Sequence, residues 1–496
     1  MSDLELAFVN GVVLDERGQR RADIGVAGGV IAAIASPGEL GSADRVVDAT
    51  GKWLMPGFVD VHFHCRAPDH PEREDFASGT MAAAAGGVTT VLEMPVADVG
   101  VSTVERLVAR RRLAEADAFV DFGLFAGCGS LSPNEITGLA EAGAVGFKVF
   151  THTPHPDRRS AFDGLWLTEN SDLLRALELV RGTGLLCAFH SEDESLLRWF
   201  ADPDGPSDSP GRRYSASRPP VVEAMAVARL GILAEATGAR VHIVHVTSRW
   251  ALDVIRAAQA RGVALTAETC PHYMFFTDQV LIEDGVWAKV APPLRAPDDA
   301  AALIEGVADG SLQAICSDHA PFAEADRTNV DIMEAPSGLP SVEVYAHLAM
   351  DAALRGLIDL NLVVRALTAG PARLYGLYPR KGSLQAGSDA DVIVYDSNAE
   401  TTVRIADWKS RSRSSARLFE GLTYRGRVEQ TFVRGCLTYD RGTIVGKQGW
   451  GTMVRPERRD SPIKRHATDP SQTFGHSAGS ADREPSVDFV EQRDGP

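Results

Sequence analysis

The sequence predicts an α/β protein, a (β/α)8 barrel joined to a small β-sandwich-like domain built from both ends of the chain. Three observations carry this expectation. A strand pattern followed by a helix pattern repeats eight times between residues 57 and 355. Purely β-like patterning flanks the repeat on both sides. Polar side chains that can ligate metal fall at the ends of the repeated strands. Strands that alternate with helices pair in parallel, and eight such units close into a barrel. A doubly wound open sheet is the alternative.

Residues 1–56 form the first part of the β domain. Short apolar runs (Leu6 to Val9, Val12-Val13, Ile24 to Val26, Val30 to Ile34) are separated by Gly, Asp and Asn, which mark turns. Asn10-Gly11 and Gly28-Gly29 read as hairpin turns. The barrel covers 57–370. Its strands are expected at 58–64, 88–94, 119–126, 146–150, 185–190, 241–246, 264–269 and 312–317. Its helices are expected at 75–85, 103–114, 133–142, 171–181, 221–236, 250–261, 298–308 and 341–354. Asp202 to Pro220 is rich in Pro, Ser, Gly and Asp and reads as a loop forming a wall of the site. Residues 371–454 complete the β domain, with Gly382 to Tyr395 and Gln430 to Val433 expected to pair with the N-terminal strands. Residues 455–496 are polar and turn-rich, which predicts a disordered tail or an arm onto a neighbouring subunit.

The net charge of -17 disfavours nucleic acid and anionic membranes as partners, because phosphate binding needs a basic face. The six cysteines contain no C-x-x-C pair, which argues against a zinc-finger or disulfide framework. The start of the chain lacks the basic and apolar blocks of a signal peptide. No apolar run approaches the roughly 18 residues that span a bilayer. The expectation is a cytoplasmic protein.

Catalytic groups in such barrels stand at the C-terminal ends of the strands. His62 and His64 project from one face of the first strand, because side chains alternate. Lys148 lies inside the apolar fourth strand, His190 ends the fifth, His245 the sixth and Asp318 the eighth. Four histidines and a carboxylate so placed point to a binuclear site for borderline divalent metals such as zinc. Lys148 has two readings. It pairs with a carboxylate, or its neutral amine adds carbon dioxide to give a carbamate that ligates both ions. By alternation His242 faces the helix layer and His319 faces away from Asp318. His272, His152 and His155 are secondary candidates for the mouth, and His70 and His347 read as structural or solvated.

This set resembles the amidohydrolase superfamily, and within it the cyclic-amide hydrolases: allantoinase, hydantoinase/dihydropyrimidinase and dihydroorotase. The resemblance includes PGFVDVHFH, AAAAGGVTTVLEMP, GFKVF, HSED, YSASRPP, HVTS, ETCPHY, APPLR and SDHAPF, and runs from about residue 5 to 455. It implies that His62, His64 and Asp318 hold one metal ion and His190 and His245 the other, with carboxylated Lys148 shared. It implies that Asp318 carries the proton to the leaving nitrogen, that the substrate is a small cyclic amide, and that the chain is a homo-oligomer, dimer or tetramer.

The motifs bearing on substrate differ among themselves. Arg66 gives an H-x-H-x-R pattern like that of dihydroorotases, where the arginine grips a carboxylate, yet Val96 stands where those enzymes carry asparagine. Thr153 lies five residues after Lys148, where hydantoinases typically place a tyrosine. This resembles allantoinases better and makes Arg66 and Thr153 the expected substrate contacts. YSASRPPVVEA and ETCPHY also look allantoinase-like. The reading is an allantoinase-like ring opener of the allantoin-to-allantoate type, with dihydroorotase-like and hydantoinase-like activities as alternatives. A non-catalytic homologue acting as a scaffold is a remote alternative, since no metal ligand is lost.

Overall fold

The computed structural model describes residues 4–201 and 209–457. Eight parallel strands follow one another in sequence order around one sheet. They are Phe58–Phe63, Val88–Glu93, Asp121–Gly127, Gly146–Phe150, Cys187–His190, Val241–Ile243, Leu265–Thr269 and Ala314–Ile315. The first and last meet where Phe63 bridges His319 in parallel and the His64 N–H donates to the His319 carbonyl at 2.9 Å. This closes the barrel.

The helices begin where the sequence offers capping oxygens. Asp75, Thr103, Ser132 and Ser248 each accept a backbone N–H from the first turn of the helix they precede, satisfying donors that have no partner within the helix. The eighth strand is only two residues long, against the six expected at 312–317. Two helices, Leu360–Leu367 and Ala369–Leu374, follow Tyr345–Leu354 without having been expected. Within the expected loop, Pro210–Ala216 is a short helix, and residues 202–208 lie outside the described residues. The expected tail also lies outside them from residue 458.

The flanking segments build two further sheets. One has four strands, in the order Val30–Ala35, Asp23–Ala27, Leu4–Val9, Ala43–Asp48. The other has seven and interleaves both ends of the chain. Trp53–Pro56 pairs antiparallel with Val392–Thr402, which pairs with Thr423–Val433. Phe8, Ile24, Leu54, Val392 and Phe432 form a shared apolar core, with the Phe8 and Phe432 rings edge to face at 4.8 Å.

Gly28-Gly29 makes the expected two-residue hairpin, with φ of 59° and 76°. Asn10-Gly11 does not. It carries the chain from the four-stranded sheet to the seven-stranded one, so the strands on either side of it are not partners. Lys381, fully buried, contacts Asp121 at the start of the third barrel strand together with Asp389 and Asp391, and so ties the C-terminal segment to the barrel. Among the described residues no helix is long and apolar enough to cross a membrane, and all six cysteines are free thiols.

Candidate metal centre and substrate cavity

The C-terminal ends of the barrel strands surround a cavity of about 650 Å³. Its wall includes all six residues expected to ligate metal: His62, His64, Lys148, His190, His245 and Asp318.

They fall into two groups. His62 Nε2 and His64 Nε2 lie 3.3 and 3.8 Å from the same oxygen of Asp318. On the other side His190 Nδ1 faces His245 Nε2 at 3.0 Å. The His62 and His245 rings are 5.2 Å apart, so the groups adjoin. Lys148 Nζ is buried without any hydrogen-bond partner. Burial pushes this amine down to about 8, partly offset by Glu268 and then Asp318.

Two carboxylates that the sequence reading did not single out set the histidine tautomers. His62 Nδ1 is 2.7 Å from Glu268, and His190 Nε2 is 2.7 Å from Glu192. A carboxylate only accepts, so each of these ring nitrogens carries the proton and the other presents its lone pair to the cavity. Burial raises the Glu192 carboxyl, but Arg218 and then His190 hold it well below the usual range. Burial likewise opposes ionisation of Glu268, and hydrogen bonds from His242 and His62 overcome it. Both glutamates could have been found by the test that exposed Lys148. Glu268 is a charged residue inside the seventh strand, and Glu192 lies just beyond the fifth and shares alternation parity with His190.

This tautomer pattern tests whether metal fits. The His62 lone pair confronts a carboxylate oxygen, and the His190 nitrogen confronts another ring nitrogen, with the orphaned amine of Lys148 close by. Facing acceptors at these distances repel unless a proton or a cation lies between them. Ligand atoms of His62, His64 and Asp318 all lie within 4.8 Å of one another, and imidazole with carboxylate is a donor set for zinc-like ions. The residues fit a divalent metal.

Other expectations are met differently. Thr153 is not in the cavity wall. Its N–H and hydroxyl both donate to Glu194, at 2.8 and 3.0 Å, which commits it away from substrate. His242 does not face the helix layer. It hydrogen-bonds Glu268 at 3.1 Å and Thr266 at 2.9 Å. Parity counting from His245 fails because the strand ends at Ile243 and His245 takes a left-handed φ of 38°. His319 does turn from Asp318 and stacks on Phe63 at 5.0 Å. His272 is buried beside Tyr273 and does not line the cavity, whereas His152 and His155 line it and exposed His70 reaches its rim. Arg66 and Val96 line it too. Glu93, a possible partner for Arg66, is taken instead by Arg110.

Comparison with known proteins agrees with this geometry. The family model described as "Amidohydrolase family" matches residues 53–438. An allantoinase of Deinococcus radiodurans is 33% identical over 461 residues, 91% of this chain and 99% of the relative. A D-hydantoinase of Ralstonia pickettii is 31% identical over 91% of this chain and 99% of its own length. The solved L-hydantoinase (dihydropyrimidinase) from Arthrobacter aurescens superimposes with a TM-score of 0.85 at 29% identity, covering 91% of this chain and 100% of that one. A match from the strand that precedes the barrel to the far strands of the seven-stranded sheet, in a chain that keeps every expected ligand, places this protein in the amidohydrolase family.

Proposed function

We propose that the protein is a metal-dependent hydrolase that opens the amide bond of a cyclic ureide or related cyclic amide. Ring opening of the allantoin-to-allantoate type is the first reading. The observation that carries the proposal is the two groups of inward-facing ring nitrogens, one with the Asp318 carboxylate, beside an orphaned, buried lysine.

His62, His64 and Asp318 would hold one divalent ion and His190 and His245 a second, zinc by donor type. Such ions supply positive charge that acidifies water and polarises a carbonyl. Lys148 would serve both positions as its carbamate. Its desolvated, unpaired amine is the form that adds carbon dioxide, releasing one proton. Glu268 and Glu192 keep His62 and His190 in the tautomer that presents a lone pair. Burial raises the Asp318 carboxyl above its usual range, with His62 and Lys148 opposing. A carboxyl poised this way can take a proton from water and return it to the ring nitrogen, which cannot leave as an amide anion. Phe150 and Val96 form part of the apolar wall around the ring.

A second reading, opening of an acidic ring such as dihydroorotate, is favoured by Arg66, whose guanidinium lines the cavity without a carboxylate partner among the described residues. We also propose that the chain works as a cytoplasmic homo-oligomer, dimer or tetramer. The free thiols support a reducing compartment, and light scattering checks the oligomer.

The test is metal analysis followed by a panel of allantoin, dihydroorotate, hydantoin and dihydrouracil. The expected result is bound divalent metal and opening of at least one ring, lost in His62→Ala. Folded protein that retains no metal, or metal-replete protein inert toward all four rings, would overturn the proposal.

A further inference from the structure

The stretches RPPVVE (218–223), HVTS (245–248) and APPLR (291–295) meet in one buried hydrogen-bond network. Glu223 lies in the first turn of the helix Pro220–Thr237 and is 2% exposed. Its carboxylate accepts from the Thr247 N–H at 2.8 Å, the Thr247 hydroxyl at 2.8 Å and the Ser248 hydroxyl at 2.7 Å. Ser248 in turn caps the helix Arg249–Ala260 by accepting from the Ala251 N–H. The Thr247 hydroxyl accepts from Arg295 Nε at 3.1 Å. Arg295 also donates to the Arg218 carbonyl, and the Arg218 side chain pairs with Glu192, the carboxylate that holds His190.

His190 and His245 are oriented in different ways. Glu192 holds the His190 ring from outside, at 2.7 Å. His245 has no such partner. Its Nδ1, the ring nitrogen that does not face His190, is buried without a hydrogen bond. The direction of this ring is therefore set by its backbone, which takes the left-handed φ of 38°. A non-glycine residue keeps that conformation only where neighbouring structure enforces it. The flanking backbone is tied down on both sides: Val244 N–H donates to the Phe189 carbonyl at 3.2 Å, and Val246 N–H to the Glu268 carbonyl at 2.8 Å. Glu223 then binds the next two residues. A buried carboxylate is costly unless hydrogen bonds satisfy it, and all three bonds of Glu223 go to Thr247 and Ser248.

We propose that Glu223 is a positioning residue for the second metal position. It fixes the turn that gives His245 its backbone conformation, and so sets the affinity of that position for metal. It does this from outside the cavity, whose wall it does not join. The inference rests on the two-ion reading and deepens it, since it names what holds the ligand that has no outer partner of its own.

Zinc competition tests it. The full-length protein is loaded with zinc and titrated with a chromogenic chelator, with circular dichroism to confirm folding. Wild type should hold two ions. Glu223→Gln, which replaces one acceptor oxygen by a donor, should weaken one ion about tenfold or more and leave the other within about threefold. Thr247→Val removes only the hydroxyl bonds and should weaken the same ion by less; it decides the question in the same way if Glu223→Gln does not fold. In His245→Ala, Glu223→Gln should change zinc binding no further, because the ligand it positions is gone. Equal weakening of both ions, no weakening of either, or a further loss on top of His245→Ala overturns the inference and leaves the two-ion reading in place. Wild type that holds fewer than two ions removes the two-ion reading and the inference with it.

Discussion

Glu268 gives the sharpest test of how the site is held together. Its carboxylate is fully buried and bridges two histidines, His62 Nδ1 at 2.7 Å and His242 Nε2 at 3.1 Å. Glu268→Ala leaves two buried N–H donors without an acceptor, at about 1–3 kcal/mol each. The His62 donor matters for function because, once unpinned, the ring can move its proton to Nε2 and withdraw the lone pair that faces Asp318. Outer partners of metal-ligating histidines are worth about 10–100-fold in metal affinity, about 1.4–2.7 kcal/mol, which agrees with the loss of one such bond. Glu268→Gln should cost less. Its amide oxygen can still accept from His62 while its NH2 faces His242, and His242 can change tautomer because Thr266 Oγ1, 2.9 Å from its Nδ1, both donates and accepts. The assay is chelator competition for bound divalent metal at fixed pH, with circular dichroism to confirm folding. The expected order of affinity is wild type, then Gln, then Ala. An unchanged affinity in Glu268→Ala, or a Gln variant weaker than the Ala one, would refute the tautomer argument.

Three other perturbations follow from buried charge. Lys148→Met should lower kcat/KM by at least about 100-fold if Lys148 is the shared ligand proposed above. The metal-free variant should also unfold at higher urea, because it no longer buries an unpaired amine; a variant that keeps its activity contradicts the role. Lys381→Met leaves Asp389 and Asp391 without their buried cation and should cost about 3–5 kcal/mol by urea unfolding; a loss below about 1 kcal/mol would contradict it. Burial pushes Glu343 up to about 8 from the usual 4.5. The folded state therefore holds this proton more tightly than the unfolded chain does. The stability from this group is fully present below pH 4.5 and is lost as pH rises through about 8. Glu343→Gln should flatten that decline in the thermal midpoint, and an unchanged pH profile would count against it.

The eight units were legible because barrel strands and helices differ in period, length and capping residues. Those local signals survive folding: Pro133–Ala142 and Gly146–Phe150 lie where the pattern puts them. The six candidate ligands were legible for a related reason. A charged or imidazole side chain at an apolar strand end is conspicuous wherever the strand sits in space. What failed depended on chain geometry beyond one strand. His242 was misplaced because alternation was counted through a left-handed residue. Thr153 was assigned to substrate from its spacing to Lys148, although its own loop offers both its polar groups to Glu194.

The closing seam of the barrel shows why fold and site are not separable here. The eighth strand contributes two residues, too few to hold it by backbone pairing alone. Asp60, from the first strand, supplies the missing bonds. Its carboxylate accepts from the Ser317 N–H at 2.9 Å and from the Ser317 hydroxyl at 2.5 Å. The next residue, Asp318, then turns into the left-handed region at φ 45°, away from the extended ladder and toward His62 and His64. A longer regular strand would close the barrel more firmly, but it would hold Asp318 to strict alternation. The short strand with its side-chain clasp frees one residue to break the pattern where the proposed chemistry needs a carboxylate. The positive φ of His245, two residues beyond the sixth strand, has the same logic. Strain of this kind persists only where surrounding structure over-determines it, and two of the seven non-glycine residues with positive φ among the described residues, His245 and Asp318, are ones proposed to hold metal.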